Sequence, residues 1–312
     1  MRRAGILVVA GGALAVAALL AIAGVGEVPG ALTNWQAFVL GVVQGATELL
    51  PISSSGHLIL VPWLFEWEYL ETHEEFNQTF DVALHVGTLV AVVAYFWNDV
   101  TRLIAAWLAS VRRRSITSPD ERIAWFVAIA TVPAAAIGAL GEDLIAGNLG
   151  EPWQIAIFLA VFGVLLWIAD KTPATKQMSD LGPGTALAVG FAQSLALMPG
   201  VSRSGITITM ARFLGLDRDS AARFSFLLLI PIVFGASLWK GVTDVLLGDL
   251  PPGWEGPFLV GMIAAAGSGL LAIWGLLGYV RRHDYTIFVV YRLIAAAVIV
   301  LLIVTNVRAA TF

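Results

Sequence analysis

The strongest constraint on this chain is the way its apolar residues are gathered into long runs. Residues 81–98, 123–141, 153–169, 221–238, 257–279 and 285–304 are each almost wholly apolar. Each approaches the roughly 20 residues that a helix needs to cross a bilayer core. A soluble domain carries about 25% charged residues; this chain of 312 residues carries 13%, with a mean hydropathy of +0.84. So few charges cannot cover a water-exposed surface. The expected fold class is therefore all-α, a polytopic membrane helical bundle, with residues 31–312 as a single integral-membrane domain. Residues 1–30 stand apart from it. The apolar run 4–26 follows Arg2 and Arg3 and is either an extra first span or a signal-like segment. A net charge of −4 excludes a strongly basic nucleic-acid binder, so no nucleic-acid partner is expected. The absence of cysteine excludes disulfides, thiolate catalysis and Cys-ligated metals.

Lys and Arg in the loops set an expected orientation. Arg102, Arg112, Arg113 and Arg114 crowd one connection, Lys171 and Lys176 another, and Arg281 and Arg282 a third, whereas 66–75 and 142–151 are acidic. The positive-inside rule places the three basic loops in the cytoplasm. The spans then alternate without contradiction, provided that two further apolar segments do not cross. Those segments, 34–65 and 185–213, are each broken near the middle by proline and small polar residues. The first contains GVVQGATELLPISSSGH from Gly41, the second GFAQSLALMPGVSRSGIT from Gly190. Gly41 aligns with Gly190 and Gln44 with Gln193. Ser53, Ser54, Ser55 and Gly56 align with Ser202, Arg203, Ser204 and Gly205, and Pro51 falls within one place of Pro199. The chain thus holds an internal repeat, with halves of roughly 34–169 and 185–304. Charge counting brings the first break in from outside and the second from the cytoplasm. That is an inverted-topology repeat with two re-entrant helix hairpins, whose irregular backbone must line a protein-enclosed polar space.

Ionisable groups at membrane depth point to function. Glu48, His57 and Arg203 lie at the two breaks together with Ser53, Ser54, Ser55, Ser202 and Ser204. Helix N-termini after the breaks, with Gly56 and Gly205 allowing close backbone approach, suit phosphate. Arg203 adds a planar donor fork. A serine needs a base, and His57 follows Ser54 by three residues, on one helix face. Glu48 orients that histidine, acts as acid or base, or holds a divalent cation. The chemistry these groups suit is in-line displacement at phosphorus. Taken singly, each serine also has a structural use in bonding helix to helix, and Arg212, Arg223 and Arg292 read as arginines that snorkel or pair with an acid. Asp81 and His85 open a span beside the acidic loop and read as interface residues, with Asp81 kept as an outer support of the site. Trp63, Trp67, Trp97, Trp107 and Trp153 read as interface anchors.

QGATELLPISSSGH, FDVALHVGT and LMPGVSRSGITI, in that order, resemble the undecaprenyl pyrophosphate phosphatase family, also called the bacitracin-resistance family, over roughly residues 34–305. The resemblance implies a multi-pass enzyme of the bacterial inner membrane with its site opening toward the periplasm. Such an enzyme hydrolyses undecaprenyl diphosphate to undecaprenyl phosphate and inorganic phosphate. It recycles the lipid carrier of peptidoglycan synthesis and confers bacitracin resistance. It also implies dependence on a divalent cation, Mg²⁺ or Ca²⁺. The family's acidic motif falls on Gln44 to Glu48, its Ser/His element on Ser53, Ser54, Ser55 and His57, and its arginine motif on Ser202, Arg203 and Ser204. Where the family often has a first Glu this chain has Gln44, which ligates a metal only through a neutral carbonyl and leaves Glu48 as the principal acid. The expected nucleophile is Ser54 with His57 as base and Glu48 in support; the competing version makes His57 the nucleophile through a phosphohistidine. The expected partners are the lipid substrate and the bilayer, with a homodimer left open. Two alternatives stand beside this reading. A lipid-phosphate transporter or flippase would share the inverted repeat. An acid-phosphatase-like prenyl diphosphate phosphatase would share SGH and SR, yet no histidine follows Arg203 before His283.

Overall fold

The computed structural model describes residues 3–24, 26–28, 30–67, 69, 73–146, 148–248 and 250–311. Arg2 and part of the acidic stretch 66–75, which enter the orientation argument, lie outside the described residues. No strand occurs among the described residues, apart from one isolated bridge between Lys176 and Leu216.

The helices are α1 Arg3–Ala23, α2 Asn34–Leu49, α3 Ser54–Phe65, α4 Glu74–Tyr95, α5 Trp97–Arg113, α6 Pro119–Ala146, α7 Pro152–Asp170, α8 Pro183–Ser194, α9 Arg203–Phe213, α10 Arg218–Lys240, α11 Glu255–Val280 and α12 Thr286–Val304. Seven of them contain segments long and apolar enough to cross a membrane: Ala4–Ala23, Phe76–Tyr95, Pro119–Gly141, Pro152–Asp170, Arg218–Leu246, Glu255–Val280 and Thr286–Val304. The protein is accordingly an all-α, multi-pass membrane bundle. Outward faces carry side chains such as Leu140 and Ile22, which are exposed and suit contact with lipid rather than water.

Local chemistry sets the helix starts. Thr33 and Gln36 form a reciprocal capping box before α2, and Asp217 accepts the Ser220 amide at 2.7 Å before α10. Each satisfies backbone donors that helical bonds leave free. The expected span 81–98 is displaced to Phe76–Tyr95 because the helix ends at Phe96 and a new one starts at Trp97. The basic connection after it is not a loop. It is the amphipathic helix α5, with Val100 and Leu103 buried and Arg102 bonded to Asp99 at 2.8 Å one turn away. The span expected at 221–238 continues to Lys240 and then into π-helical turns at Gly241–Leu246. Trp63 also departs from expectation. It is buried, and its indole donates to the Ala309 carbonyl at 3.2 Å, tying the C-terminal segment to α3.

Helix α11 is the central packing element and lies against α1, α2 and α4. The repeat-matched glycines explain how helices can come so close. A Cβ on Gly41 would lie 2.4 Å from the Gly261 carbonyl of α11, and one on Gly190 would lie 2.5 Å from the Ala130 carbonyl of α6. Small residues drive helix association in membranes by letting backbones touch, since lipid is as apolar as the side chains. Helix α1 belongs to this packing, with Ala10 and Ala17 fully buried.

Each broken segment is a helix–break–helix unit, α2–α3 and α8–α9. The second helices have 12 and 11 residues, about 18 and 16 Å at 1.5 Å per residue, against a hydrocarbon core of about 30 Å. At the other end of the bundle, buried Asp170 joins three elements. It accepts from Arg212 at 3.3 Å, from Arg218 at 2.7 Å and from the Tyr285 backbone at 3.0 Å. Arg223 pairs with Asp219 at 2.7 Å. Arg212 and Arg223 pair with acids as expected; Arg292 does not.

Candidate active site

The two breaks are built alike. Ser53 and Ser202 both adopt φ +77°, in the left-handed region that side chains rarely enter. Each hydroxyl accepts the amide three residues on, Gly56 at 3.4 Å and Gly205 at 3.0 Å. Each also contacts the serine two residues on, Ser55 at 3.5 Å and Ser204 at 3.3 Å. The breaks are then stitched together. The Gly200 amide donates to Ser53 Oγ at 3.1 Å, and Ser204 Oγ donates to the Leu50 carbonyl at 3.0 Å. Residues about 150 positions apart in sequence therefore share one small polar centre.

Glu48, on the last turn of α2, is its hub and is buried. Arg203, the first residue of α9, donates through Nε to Glu48 Oε1 at 3.0 Å and through Nη1 to the Ser225 carbonyl at 2.8 Å. Ser54, the first residue of α3, donates its hydroxyl proton to Glu48 Oε2. His85 Nε2 lies 3.4 Å from the same oxygen, and its Nδ1 donates to the Asp81 carbonyl at 2.7 Å. One carboxylate thus receives a hydroxyl from its own half of the chain and a guanidinium from the other. Arg203 Nη2 is buried with no protein partner, a donor left unspent.

The residues named from sequence do not all converge. His57 turns away from Ser54. Its Nδ1 donates to the Ser53 carbonyl at 2.6 Å, and its Nε2 accepts from the Tyr291 hydroxyl at 2.7 Å, with the two rings stacked. The nitrogen that would accept a serine proton is occupied, and the hydroxyl of Ser54 faces Glu48 instead. The spaces beside Gly56 and Gly205 are taken by protein: a Cβ at Gly56 would lie 3.1 Å from Ile155, and one at Gly205 would lie 3.1 Å from Arg292. Asp81 supports His85 through its backbone carbonyl, one helical turn away.

His85, whose position at the start of the expected span suggests an interface residue, reaches Glu48 from within α4. Its sequence signal is the Asp81-x-x-x-His85 spacing, which puts both on one helix face. Arg292 and Tyr291 were also missed as neighbours of the site. Arg292 is legible only as a charged residue within a span. Two grooves lie elsewhere: an apolar one of about 550 Å³ between α7 and α12, and one of about 220 Å³ lined by Arg102, Arg223 and Phe96.

A protein-held divalent cation fits this donor set poorly. Hard cations want several oxygen ligands and anionic charge. Here both Glu48 oxygens are engaged, with a guanidinium on one. Gln44, one turn away and fully buried, contributes only a neutral amide whose O and N have no partner. No group of three or more His, Cys, Asp or Glu suited to a metal occurs among the described residues.

Comparison with known proteins places this geometry in a family. Curated proteins named undecaprenyl-diphosphatase align over most of their length. The one from Geobacter sulfurreducens is 47% identical over 265 residues, 84% of this chain and 96% of its own. Those from Teredinibacter turnerae and Desulforudis audaxviator are 46% and 42% identical, over 82% and 87% of this chain and 94% and 98% of their own. The family model described as Bacitracin resistance protein BacA matches residues 37–298, which takes in both breaks, Glu48, His85, Arg203 and Arg292. With so much of its length and the whole polar centre inside that match, the chain belongs to the bacitracin resistance protein BacA family.

Proposed function

We propose that this protein hydrolyses undecaprenyl diphosphate to undecaprenyl phosphate and inorganic phosphate, returning the carrier lipid to peptidoglycan synthesis and conferring bacitracin resistance. The observation that carries the reading is the meeting of Ser54 and Arg203, from opposite halves of the chain, on the single carboxylate of Glu48. That set contains a nucleophile, a base and an anion-binding cation, and the relatives' name specifies a diphosphate lipid. The expected setting is the bacterial inner membrane, with the site opening toward the periplasm. Helices α3 and α9 are too short to cross, which supports reading α2–α3 and α8–α9 as re-entrant hairpins.

Chemically, the Ser54 hydroxyl is already aimed at its base. As Oγ attacks the terminal phosphorus, its proton passes to Glu48. The bond from phosphorus to the bridging oxygen breaks, and undecaprenyl phosphate leaves. Glu48 passes that proton to the departing lipid phosphate. Water then attacks the phosphoserine and Glu48 accepts the water proton. Glu48 returns it to Ser54 Oγ as the phosphorus–Oγ bond breaks and inorganic phosphate departs. Arg203 turns its free Nη2 to a phosphate oxygen and neutralises charge as it builds up, the largest contribution a protein makes to such a transfer. The helix starts at Ser54 and Arg203 add oriented N–H groups. This version gives the base role to Glu48 rather than His57, and it uses no protein-held cation.

Phosphate release from undecaprenyl diphosphate by the purified protein, compared with Ser54→Ala, tests the reading. Release by wild type and loss in the variant are expected. Wild-type protein that binds the lipid and releases no phosphate would overturn it in favour of a lipid-phosphate carrier.

A further inference from the structure

Arg292 is the largest fully buried side chain in the described structure. It lies within α12, and none of its partners is an acid. Its guanidinium makes six hydrogen bonds to five carbonyls. Nε donates to Leu159 at 2.9 Å and Nη2 to Phe158 at 3.2 Å, both on α7. Nη1 donates to Pro51 at 3.2 Å in the first break. Nη2 donates to Gly200 at 2.9 Å, and Nη1 and Nη2 each donate to Val201 at 3.1 Å, in the second break. A single planar group therefore holds both breaks and references them to the α7–α12 frame.

The placement of those carbonyls matters. Pro51 and Gly200 each precede a left-handed serine, Ser53 or Ser202, by two residues, and Val201 precedes Ser202 directly. Immediately after each serine comes a member of the polar centre, Ser54 in one half and Arg203 in the other. Backbone in a sparsely populated conformation persists only when its surroundings over-determine it, and a carbonyl at membrane depth needs a donor. Arg292 meets both conditions for both breaks at once. A lysine would keep the charge but not the fork, because an ammonium has three donors on a point and cannot span five acceptors set in different directions.

We propose that Arg292 is a positioning residue for phosphate transfer. By clamping the carbonyls of Pro51, Gly200 and Val201, it sets the separation of Ser54 and Arg203 at Glu48, without itself touching the substrate. The inference rests on the hydrolase reading above. It concerns how the two halves are held at reaction distance, where misplacement by about 1 Å costs on the order of 100-fold in rate.

The test compares Arg292→Lys with Arg212→Lys in purified protein. Arg212 is also buried and bonds Asp170 and the Thr172 carbonyl, away from the breaks. For Arg292→Lys the expected result is a fall in kcat of about 100-fold with KM for undecaprenyl diphosphate within about threefold. Arg212→Lys should lower the melting temperature and leave kcat of the folded fraction near wild type. A second variant, Gly163→Val, leaves every break residue in place and wedges the Arg292 stem, which packs 3.4 Å from where a Cβ would stand; it should shift kcat in the same sense. The proposal is overturned if folded Arg292→Lys keeps wild-type kcat, if the two lysine variants lose kcat equally, or if both Arg292→Lys and Gly163→Val fail to fold while Arg212→Lys folds. Wild-type protein without turnover would instead sink the hydrolase reading, so the two failures are distinguishable.

Discussion

The two breaks share a backbone and differ in charge. Both turn through a serine at φ +77°, both cap a short helix through the glycine three residues on, and both carry a second serine beside the first. The first then places a hydroxyl at its helix start and the Glu48 carboxylate on the last turn of the helix before the break; the second places a guanidinium at its helix start and has Leu197 where the first has Glu48. The same capped helix start occurs twice, with one copy acidic and the other basic. Neither copy alone holds a complete set, and each satisfies the other's buried charge.

That contrast is open to attack by substitution. The largest combined effect on stability and turnover is expected from Arg203→Ala, which removes the cation of the second break and leaves Glu48 buried without it. Losing such a donor costs about 10²–10³ in kcat, and stranding a buried charge adds about 3–5 kcal/mol of instability. Phosphate release and thermal melting would read the two effects separately, and wild-type turnover in this variant would remove the asymmetry argument. Next comes the pair Ser54→Ala and His57→Ala. With the Ser54 hydroxyl on Glu48 and His57 Nε2 on Tyr291, the serine variant should be inactive and the histidine variant reduced by about tenfold, the value of one hydrogen bond of about 1.4 kcal/mol. A histidine nucleophile would reverse that order in a phosphate-release assay.

Gln44→Glu sharpens the acidic character of the first break by setting two carboxylates one turn apart on α2. Turnover by that variant should respond to Mg²⁺ and to a chelator by several-fold more than wild type, measured by titration of the cation. An identical cation response in both proteins would show that the amide already does what a carboxylate would. Smallest of all, Ser202→Gly should change stability by only a few tenths of a kcal/mol, because glycine caps nearly as well and relieves the positive φ, whereas Ser53→Gly should cost about 1–3 kcal/mol because it also strands the buried Gly200 amide. Equal melting shifts for this pair would show that the Gly200 bond contributes nothing to holding the breaks together.

Much of this was legible before folding. The apolar runs located the bundle, and Gly41 and Gly190, aligned only as positions of the repeat, prove to lie where helices touch backbone to backbone. Glu48, Ser54 and Arg203 were selected as ionisable or nucleophilic groups at membrane depth. The alignment also matched Gln44 with Gln193, and both amides prove buried without partners. His57 and His85 were ranked the wrong way round with respect to the carboxylate. The three-residue step from Ser54 to His57 suggests contact, yet the His57 ring bends back to its own turn and to Tyr291, while His85 approaches Glu48 from a separate helix.

Local rules of composition, periodicity and capping act over a few turns, and they were sufficient for helix type, the number of apolar spans and the presence of two equivalent breaks. They carry no information on which way a side chain turns once several helices crowd one buried centre. The pairing of Glu48 with Arg203, the exclusion of His57 from Ser54 and the grip of Arg292 on both breaks depend on contacts across 91 to 241 residues. Such contacts are settled by the need to satisfy every buried polar group at once, a condition that exists only after the helices have packed.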